Sequence, residues 1–199
     1  MANDDEFAVR RFCVGHANCR RLAADGAHVV VVDIDDPVDA VSVLTGGGDK
    51  LGLVCGISEP SQVDAVTGTA HDRYGRCDIL VDNAGVFPFT DLEHMSIGLW
   101  RKVQAVNVGP ILPFTRAFAP GMRAAGRGRV VHTGFLGRAR PGGPTTGVPF
   151  ACVTALQTIK RQSVAADLGN ALGLPVSDDA DFITRRILHG DGGMTRTGA

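Results

Sequence analysis

The chain has 199 residues, of which 44% are apolar and only 6% aromatic, and its formal net charge is −1. This length and apolar content fit one compact domain, residues 1–199, with a packed core. The balanced charge lacks the strong positive field that attracts nucleic acids, so we expect no nucleic-acid partner.

The cysteines and the N-terminus indicate where the protein resides. Five cysteines lie far apart without a C-x-x-C pair, and the odd count argues against a disulfide framework. The first six residues are mostly acidic or polar and lack the apolar core of a signal peptide. The longest uncharged stretch, 141–159, is rich in Pro, Gly and Thr, which is not typical of a membrane span. We therefore expect a cytoplasmic protein with no membrane partner, and no cluster has the spacing of a metal site.

Short β-branched runs alternate with helical patterns along the chain. Runs typical of buried strands occur at 27–33 and 78–82, and further strand candidates occur at 51–55, 129–133 and 183–188. Helical patterns occur at 16–25, from Asp36-Pro37, from Ser58, over 96–125 with breaks at its prolines, and over 154–168. This alternation predicts an α/β fold with a doubly wound parallel sheet and right-handed connections.

Five stretches in a fixed order carry a resemblance to a known family. They are 21–33, ending in Val-Val-Val-Val-Asp; 78–85, ending in Asn-Ala-Gly; 106–108, Val-Asn-Val; 128–131, Gly-Arg-Val-Val; and 178–193, ending in Asp-Gly-Gly. Together they resemble the short-chain dehydrogenase/reductase family. The resemblance implies a Rossmann-like fold, an NAD(P) cofactor, and oxidoreduction of a small alcohol or carbonyl substrate.

The resemblance also implies a cofactor site, which this chain keeps only in part. The family's glycine-rich first turn corresponds to 8–15, where Gly15 alone is retained, and the strand before it is polar, so we expect the sheet to be incomplete at its first strand. Asp33 matches the carboxylate that binds the adenosine ribose and disfavours a 2′-phosphate, which favours NAD over NADP. Alternatively, Asp33 only caps the following turn. Asn83-Ala84-Gly85 matches the turn beside the adenosine, or is a strand-end turn that packing alone requires.

Most of the proton-transfer residues that the resemblance implies are substituted. The family's tyrosine, lysine and serine correspond to Phe150, Thr154 and Gly134, although a one-residue gap would let Thr133 supply a hydroxyl. Only the asparagine is retained, as Asn107, and it has a structural alternative, which is to satisfy backbone groups in a kinked helix. Loss of a general acid costs about 10²–10⁴ in rate, so we expect the family reaction to be impaired or lost.

The segment that carries the family's substrate lid has no counterpart here, because residues 168–173 run directly into 174–178. A site without that lid is poorly shielded from water.

Three functions stay open: a catalytically silent binding or assembly module, which we favour; an active NAD-dependent oxidoreductase; or a non-redox enzyme that uses His132 with Thr133 or Asn107. Family members pair through two long helices, here around 99–117 and 154–168, so we also expect a homo-oligomer.

Overall fold

The computed structural model describes residues 14–88, 90–134 and 157–193. Its strands in those ranges are β1 (Val29–Asp33), β2 (Lys50–Val54), β3 (Ile79–Asp82) and β4 (Arg129–His132). β1 pairs with β2 and β3 pairs with β4, and both pairs are parallel. Residues 1–13, where the incomplete first strand was predicted, lie outside the described ranges. Four of the five predicted strands therefore form, in the predicted parallel direction.

Helices connect and cover these strands, as an α/β fold requires. They are α1 (Val14–Ala24), α2 (Val38–Ser42), α3 (Pro60–Tyr74), α4 (Ile97–Asn107), α5 (Ile111–Ala124) and α6 (Ala165–Val176). Of the breaks predicted at the prolines within 96–125, one falls between α4 and α5, where Pro110 occupies the N-cap of α5 and has no backbone N–H to continue a helix. Pro113 and Pro120 lie inside α5, so no break occurs there. None of the described helices combines the length and the apolar character that crossing a bilayer demands.

In the described residues the strands form two two-stranded sheets, and the apolar core lies between these strands and two of the helices. Its larger cluster joins β2 and β3 to α3 and α5, and consists of Cys55, Val63, Val66, Leu80, Phe114 and Met122. On another side of the fold, α1 packs along α6. Gly169 of α6 permits this approach, because a Cβ there would lie 2.7 Å from the carbonyl oxygen of Ala17. The strands are thus held by helices whose close contacts depend on small residues.

The predicted helix over 154–168 is wrong over 157–164; residues 154–156 lie outside the described ranges. The backbone N–H groups of Thr158 and Ile159 both donate to the carbonyl oxygen of Gly192, each over 2.9 Å. Donors that are bound to a distant turn cannot also bond within a helix. The segment has the apolar periodicity of a helix, but its backbone N–H groups donate to Gly192 instead of to carbonyl groups within a helix.

Helix α6 begins at Ala165 because side chains cap its start. The Asp167 carboxylate accepts a hydrogen bond from the Val164 N–H at 2.9 Å and two from the Arg161 guanidinium at 2.6 and 2.8 Å. An acidic side chain that satisfies free N–H groups stabilises a helix N-terminus. The helix therefore covers 165–176, where the sequence suggested a direct link into the last segment.

The predicted strand over 183–188 is also wrong, since these residues join no sheet in the described chain. Arg185 has φ 54°, which interrupts an extended backbone. The side chains of Ile187 and Leu188 are 81% and 62% exposed. A β-branched run forms a strand only where a neighbouring strand pairs with its backbone, and the pattern alone does not supply that neighbour.

Candidate functional site

Gly15 and Asn83, two of the predicted cofactor-binding residues, come together at the carboxyl end of β3. A Cβ on Gly15 would lie 2.7 Å from Nδ2 of Asn83, so only glycine lets the first turn of α1 approach this strand end. The Asn83 Oδ1 atom is buried and has no hydrogen-bond partner in the described chain. A buried acceptor without a partner is rare in native proteins, and a hydroxyl donor would satisfy it. Ala84 and Gly85 follow in an exposed, irregular turn.

Asp33 lies at the end of β1 and contacts its own turn. Its Oδ1 atom accepts a hydrogen bond from the Asp35 N–H at 3.2 Å, which is the turn-capping interaction that the sequence offered as an alternative. Its carbonyl oxygen accepts a hydrogen bond from the Cys55 N–H at 2.7 Å, which extends the pairing of β1 with β2. The Asp33 side chain is exposed, so the cap leaves its charge in contact with solvent.

Asn107 joins the end of α4 to the turn after β3. Its Oδ1 atom accepts a hydrogen bond from the Val86 N–H at 2.8 Å, and its Nδ2 donates to the Val86 carbonyl oxygen at 2.9 Å. A Cβ on Gly85 would sit in ordinary contact with the same amide, 3.5 Å from Oδ1. Asn107 therefore has a structural role, but toward Val86 rather than toward backbone groups of its own helix.

The remaining predicted catalytic positions are only partly described. Phe150 and Thr154 lie outside the described ranges. Gly134 is exposed, and a Cβ there would meet no atom of the described residues within 4 Å. Thr133 donates its backbone N–H to the carbonyl oxygen of Asp82 at 2.8 Å, which continues the pairing of β4 with β3. The space around Gly134 is thus open on the side where a side chain would project.

Asp82 and His132 form an ion-pair contact that the sequence did not reveal. They are partners in the register of β3 and β4, and Nδ1 of His132 lies 2.7 Å from Oδ2 of Asp82. The Oδ2 atom is buried and has no hydrogen-bond partner of good geometry in the described chain, and the pair carries opposite charges only when His132 is protonated. The Asp82 side chain is 19% exposed and that of His132 is 45% exposed. Burial raises the pKa of the Asp82 carboxyl, and the neighbouring His132 acts in the opposite direction.

Strand register is the signal by which this pair could have been found. Asp82 and His132 occupy the ends of consecutive predicted strands, 78–82 and 129–133. Neighbouring parallel strands bring such residues to the same edge, where open α/β folds place their sites. The sequence offers His132 as an acid/base group with Thr133 or Asn107, and it indicates Asp82 only as the last residue of a predicted strand.

Tyr74, the only tyrosine of the chain, lies away from this edge. Its hydroxyl donates to Oδ2 of Asp49 at 2.8 Å, and Asp49 precedes β2, at the amino end of the strands. Arg73 donates to the same oxygen, also at 2.8 Å. Burial is the main cause that raises the pKa of the Tyr74 phenol. Tyr74 therefore anchors the end of α3 and cannot replace the missing phenol near β4.

Thiols and potential metal ligands add no further chemistry among the residues that the structure covers. Cys19, Cys55 and Cys77 are free thiols, and burial raises the pKa of Cys19 and of Cys77 to about 11. Nowhere in these ranges do three His, Cys, Asp or Glu side chains gather as a metal ion would require.

Comparisons with known proteins agree with the arrangement of these elements. The profile of the family described as short chain dehydrogenase matches residues 13–137. The short-chain reductase protein NovJ of Streptomyces niveus is 30% identical over 159 residues, which cover 78% of this chain and 60% of that protein. Dehydrogenase/reductase SDR family member 4 of Mus musculus is 39% identical over 127 residues, covering 62% of this chain and 46% of that protein.

A solved structure shares the fold. The NADH-dependent reductase A1-R′, described as responsible for alginate metabolism, superimposes with a TM-score of 0.79 at 20% identity, over 92% of this chain and 93% of that one. Across the two curated relatives, however, the matched region spans only 60% and 46% of their lengths.

Proposed function

Because the chain belongs to the short-chain dehydrogenase/reductase family, we propose that it binds a nicotinamide nucleotide, NAD rather than NADP, at the carboxyl ends of β1 and β3. We further propose that its oxidoreduction of a small alcohol or carbonyl compound is impaired or lost. The contact of Gly15 with Asn83 carries the binding proposal, because it brings α1 beside a buried acceptor that no described residue satisfies. A ribose hydroxyl would satisfy this acceptor.

The polar residues at this edge of the fold suit the ribose and adenosine groups of such a nucleotide. Asp33, at the end of β1, would accept hydrogen bonds from the ribose hydroxyls, and Asn83, Ala84 and Gly85 would lie beside the adenosine. When bound, the nicotinamide supplies the hydride that this family transfers. The substitutions at Phe150, Thr154 and Gly134, together with the absent lid, support impairment of the proton transfer that accompanies it.

The charge of Asp33 supports the choice of NAD, and one pair of variants separates its charge from its capping bond. Asp33→Asn keeps an oxygen that can accept from the Asp35 N–H, whereas Asp33→Ala removes both charge and cap. We expect Asp33→Asn to bind NADPH more tightly than wild type does, because the carboxylate no longer repels the 2′-phosphate. Quenching of protein fluorescence on titration with NADH and NADPH measures both affinities.

Equal affinity of the wild-type chain for NADH and NADPH would contradict the role of Asp33. Asp33→Ala is the control for turn disruption: its loss of melting temperature should exceed that of Asp33→Asn. An unchanged NADPH affinity in a well-folded Asp33→Asn variant would also argue against charge selection.

We also propose a cytoplasmic location, with neither a nucleic-acid nor a membrane partner. The free thiols of Cys19, Cys55 and Cys77 support a reducing compartment. The near-zero net charge supports the absence of a polyanionic partner. Fractionation of the native host, with detection by antibody, checks the location; recovery in a membrane or secreted fraction contradicts it.

A further inference from the structure

We propose that His132, oriented by Asp82, is the group that exchanges a proton with the substrate oxygen at this site. The inference rests on the proposed function in its impaired form, because it assumes a nicotinamide nucleotide at the same edge and a residual oxidoreduction. Its basis is the 2.7 Å approach of Nδ1 of His132 to Oδ2 of Asp82, where β3 and β4 end side by side.

The two side chains differ in exposure in the way that a proton-transfer pair requires. Asp82 is mostly buried and His132 is about half exposed. The carboxylate faces Nδ1, which leaves Nε2 as the ring atom directed away from Asp82. A carboxylate at one nitrogen orients the imidazole and stabilises its protonated form, while the other nitrogen exchanges protons. Asp82 is a positioning residue in this scheme and does not itself contact substrate.

The described part of the chain leaves space near the pair. Gly134 follows His132 by two residues, and no described atom lies within 4 Å of the position that a Cβ on Gly134 would occupy. The resemblance puts the substrate-orienting hydroxyl of other family members at 134. Asn107 does not compete for His132, because its amide is bonded to Val86. We place the carbonyl compound over Gly134, two residues along the chain from His132.

The reaction balances with the nicotinamide nucleotide as the only co-reactant. The carbonyl carbon receives a hydride from the reduced nicotinamide, and the C=O π pair moves to the oxygen. That oxygen takes a proton from Nε2 of protonated His132, which gives the alcohol, the oxidised nicotinamide and a neutral imidazole. Asp82 stays ionised, and solvent returns the proton to His132. In the opposite direction, His132 accepts the hydroxyl proton as the hydride leaves.

Turnover of the full chain tests the proposal directly. A panel of aldehydes and ketones is assayed with NADH at a concentration that calorimetry shows to be saturating, with the alcohol product detected. We expect His132→Gln to lower turnover by about 10²-fold or more, the usual effect of losing an acid/base group, with the affinity for NADH unchanged. Asp82→Asn should lower turnover by a smaller factor. His71→Gln is the control. His71 is exposed in the last turn of α3, which leads into the amino end of β3 rather than the carboxyl end.

A readout that does not depend on activity checks the positioning role. In nitrogen-15 NMR spectra, we expect neutral His132 to carry its proton on Nδ1, facing Asp82, and we expect Asp82→Ala to change that preference. Melting curves identify variants that fail to fold; if His132→Gln fails, His132→Asn takes its place.

The possible results distinguish the role of His132 from the proposed nucleotide binding. Wild-type turnover by a folded His132→Gln variant overturns the role of His132. A wild-type chain that binds NADH but reduces no member of the panel also overturns it, and leaves nucleotide binding intact. Failure to bind millimolar NADH contradicts the proposed function itself.

Discussion

Asn107 matches the asparagine of the family's proton-transfer residues, but its side chain here makes structural hydrogen bonds to a neighbouring segment. Both of its amide atoms bond to the Val86 backbone, so α4 and the turn after β3 are held together through one side chain. Its presence in the sequence pointed equally to catalysis and to structure. Only the coordinates identify the partner, because Val86 lies on a separate segment whose approach the sequence does not encode locally.

Removing the Asn107 amide should loosen this connection. We expect Asn107→Ala to lower the free energy of unfolding by about 1–2 kcal/mol, since two hydrogen bonds are lost at an exposed site. Lys102→Ala, on the same helix and exposed, is the control and should change it by less than about 0.5 kcal/mol. Urea denaturation followed by circular dichroism measures both; equal effects would show that the Val86 bonds add no stability.

Gly15 is required by a close approach between two segments. We expect Gly15→Ala to weaken NADH binding, because the new Cβ would lie 2.7 Å from Nδ2 of Asn83 and push that side chain from its position. Gly68→Ala on α3 is the matched control, since a Cβ there meets nothing within 4 Å. A Gly15→Ala variant with wild-type affinity would mean that Asn83 does not contribute to the nucleotide site.

At the scale of elements, local patterns predicted most of the fold. Short apolar runs located all four described strands, and the first four helices begin near their predicted starts. The errors concern 157–164, where hydrogen bonds to the distant Gly192 decide the conformation, and 183–188, which finds no pairing strand in the described chain. The Asp82–His132 pair was predictable in part, because strand ends are readable but the pairing of particular strands is a tertiary choice.

The close packing of α1 on α6 predicts opposite effects for two helical glycines. Gly169→Ala should destabilise the fold by about 1–3 kcal/mol, because its Cβ would lie 2.7 Å from the backbone oxygen of Ala17. Gly121→Ala, on α5 with open space around it, should stabilise the fold by about 0.5–1 kcal/mol through helix propensity. Thermal unfolding reports both signs, and stabilisation by Gly169→Ala would contradict the observed contact.

The cap of α6 should give stability a defined dependence on pH. Hydrogen bonds from Arg161, and then from the Val164 N–H, lower the pKa of the Asp167 carboxyl to about 2. A carboxyl whose pKa is lowered by folding stabilises the protein above its unfolded value of about 3.9, and this contribution is lost as pH falls through the folded value. The stability difference between wild type and Asp167→Asn should therefore shrink between about pH 4 and 2. A difference that is constant across this range would contradict the cap.

At the scale of the whole molecule, exposed apolar side chains on α4 and α5 support a homo-oligomer. Trp100 is 53% exposed and Leu112 is 70% exposed. The second helix expected in the interface does not form over 157–164, so we propose that α4 and α5 make the contact. Burying such side chains between copies would remove their apolar area from water.

A single charged substitution tests this interface. Leu112→Glu should convert the oligomer to a monomer in light scattering, and should shift the fluorescence of Trp100 to longer wavelength as its surroundings become wetter. Leu174→Glu, at a 52% exposed apolar residue on α6, is the control and should leave the mass unchanged. A wild-type chain that is monomeric at every concentration would rule out the assembly.

The proposed function depends on nucleotide binding at the end of β3. Calorimetric titration of NADH into the wild-type chain and into an Asn83→Leu variant measures this binding. Leucine has a similar shape but lacks the buried acceptor. We expect saturable binding of one NADH per chain by wild type, and strongly weakened binding by a variant that is at least as stable, because the unsatisfied acceptor is gone. No heat of binding at millimolar NADH, or equal affinity in both proteins, would contradict the account.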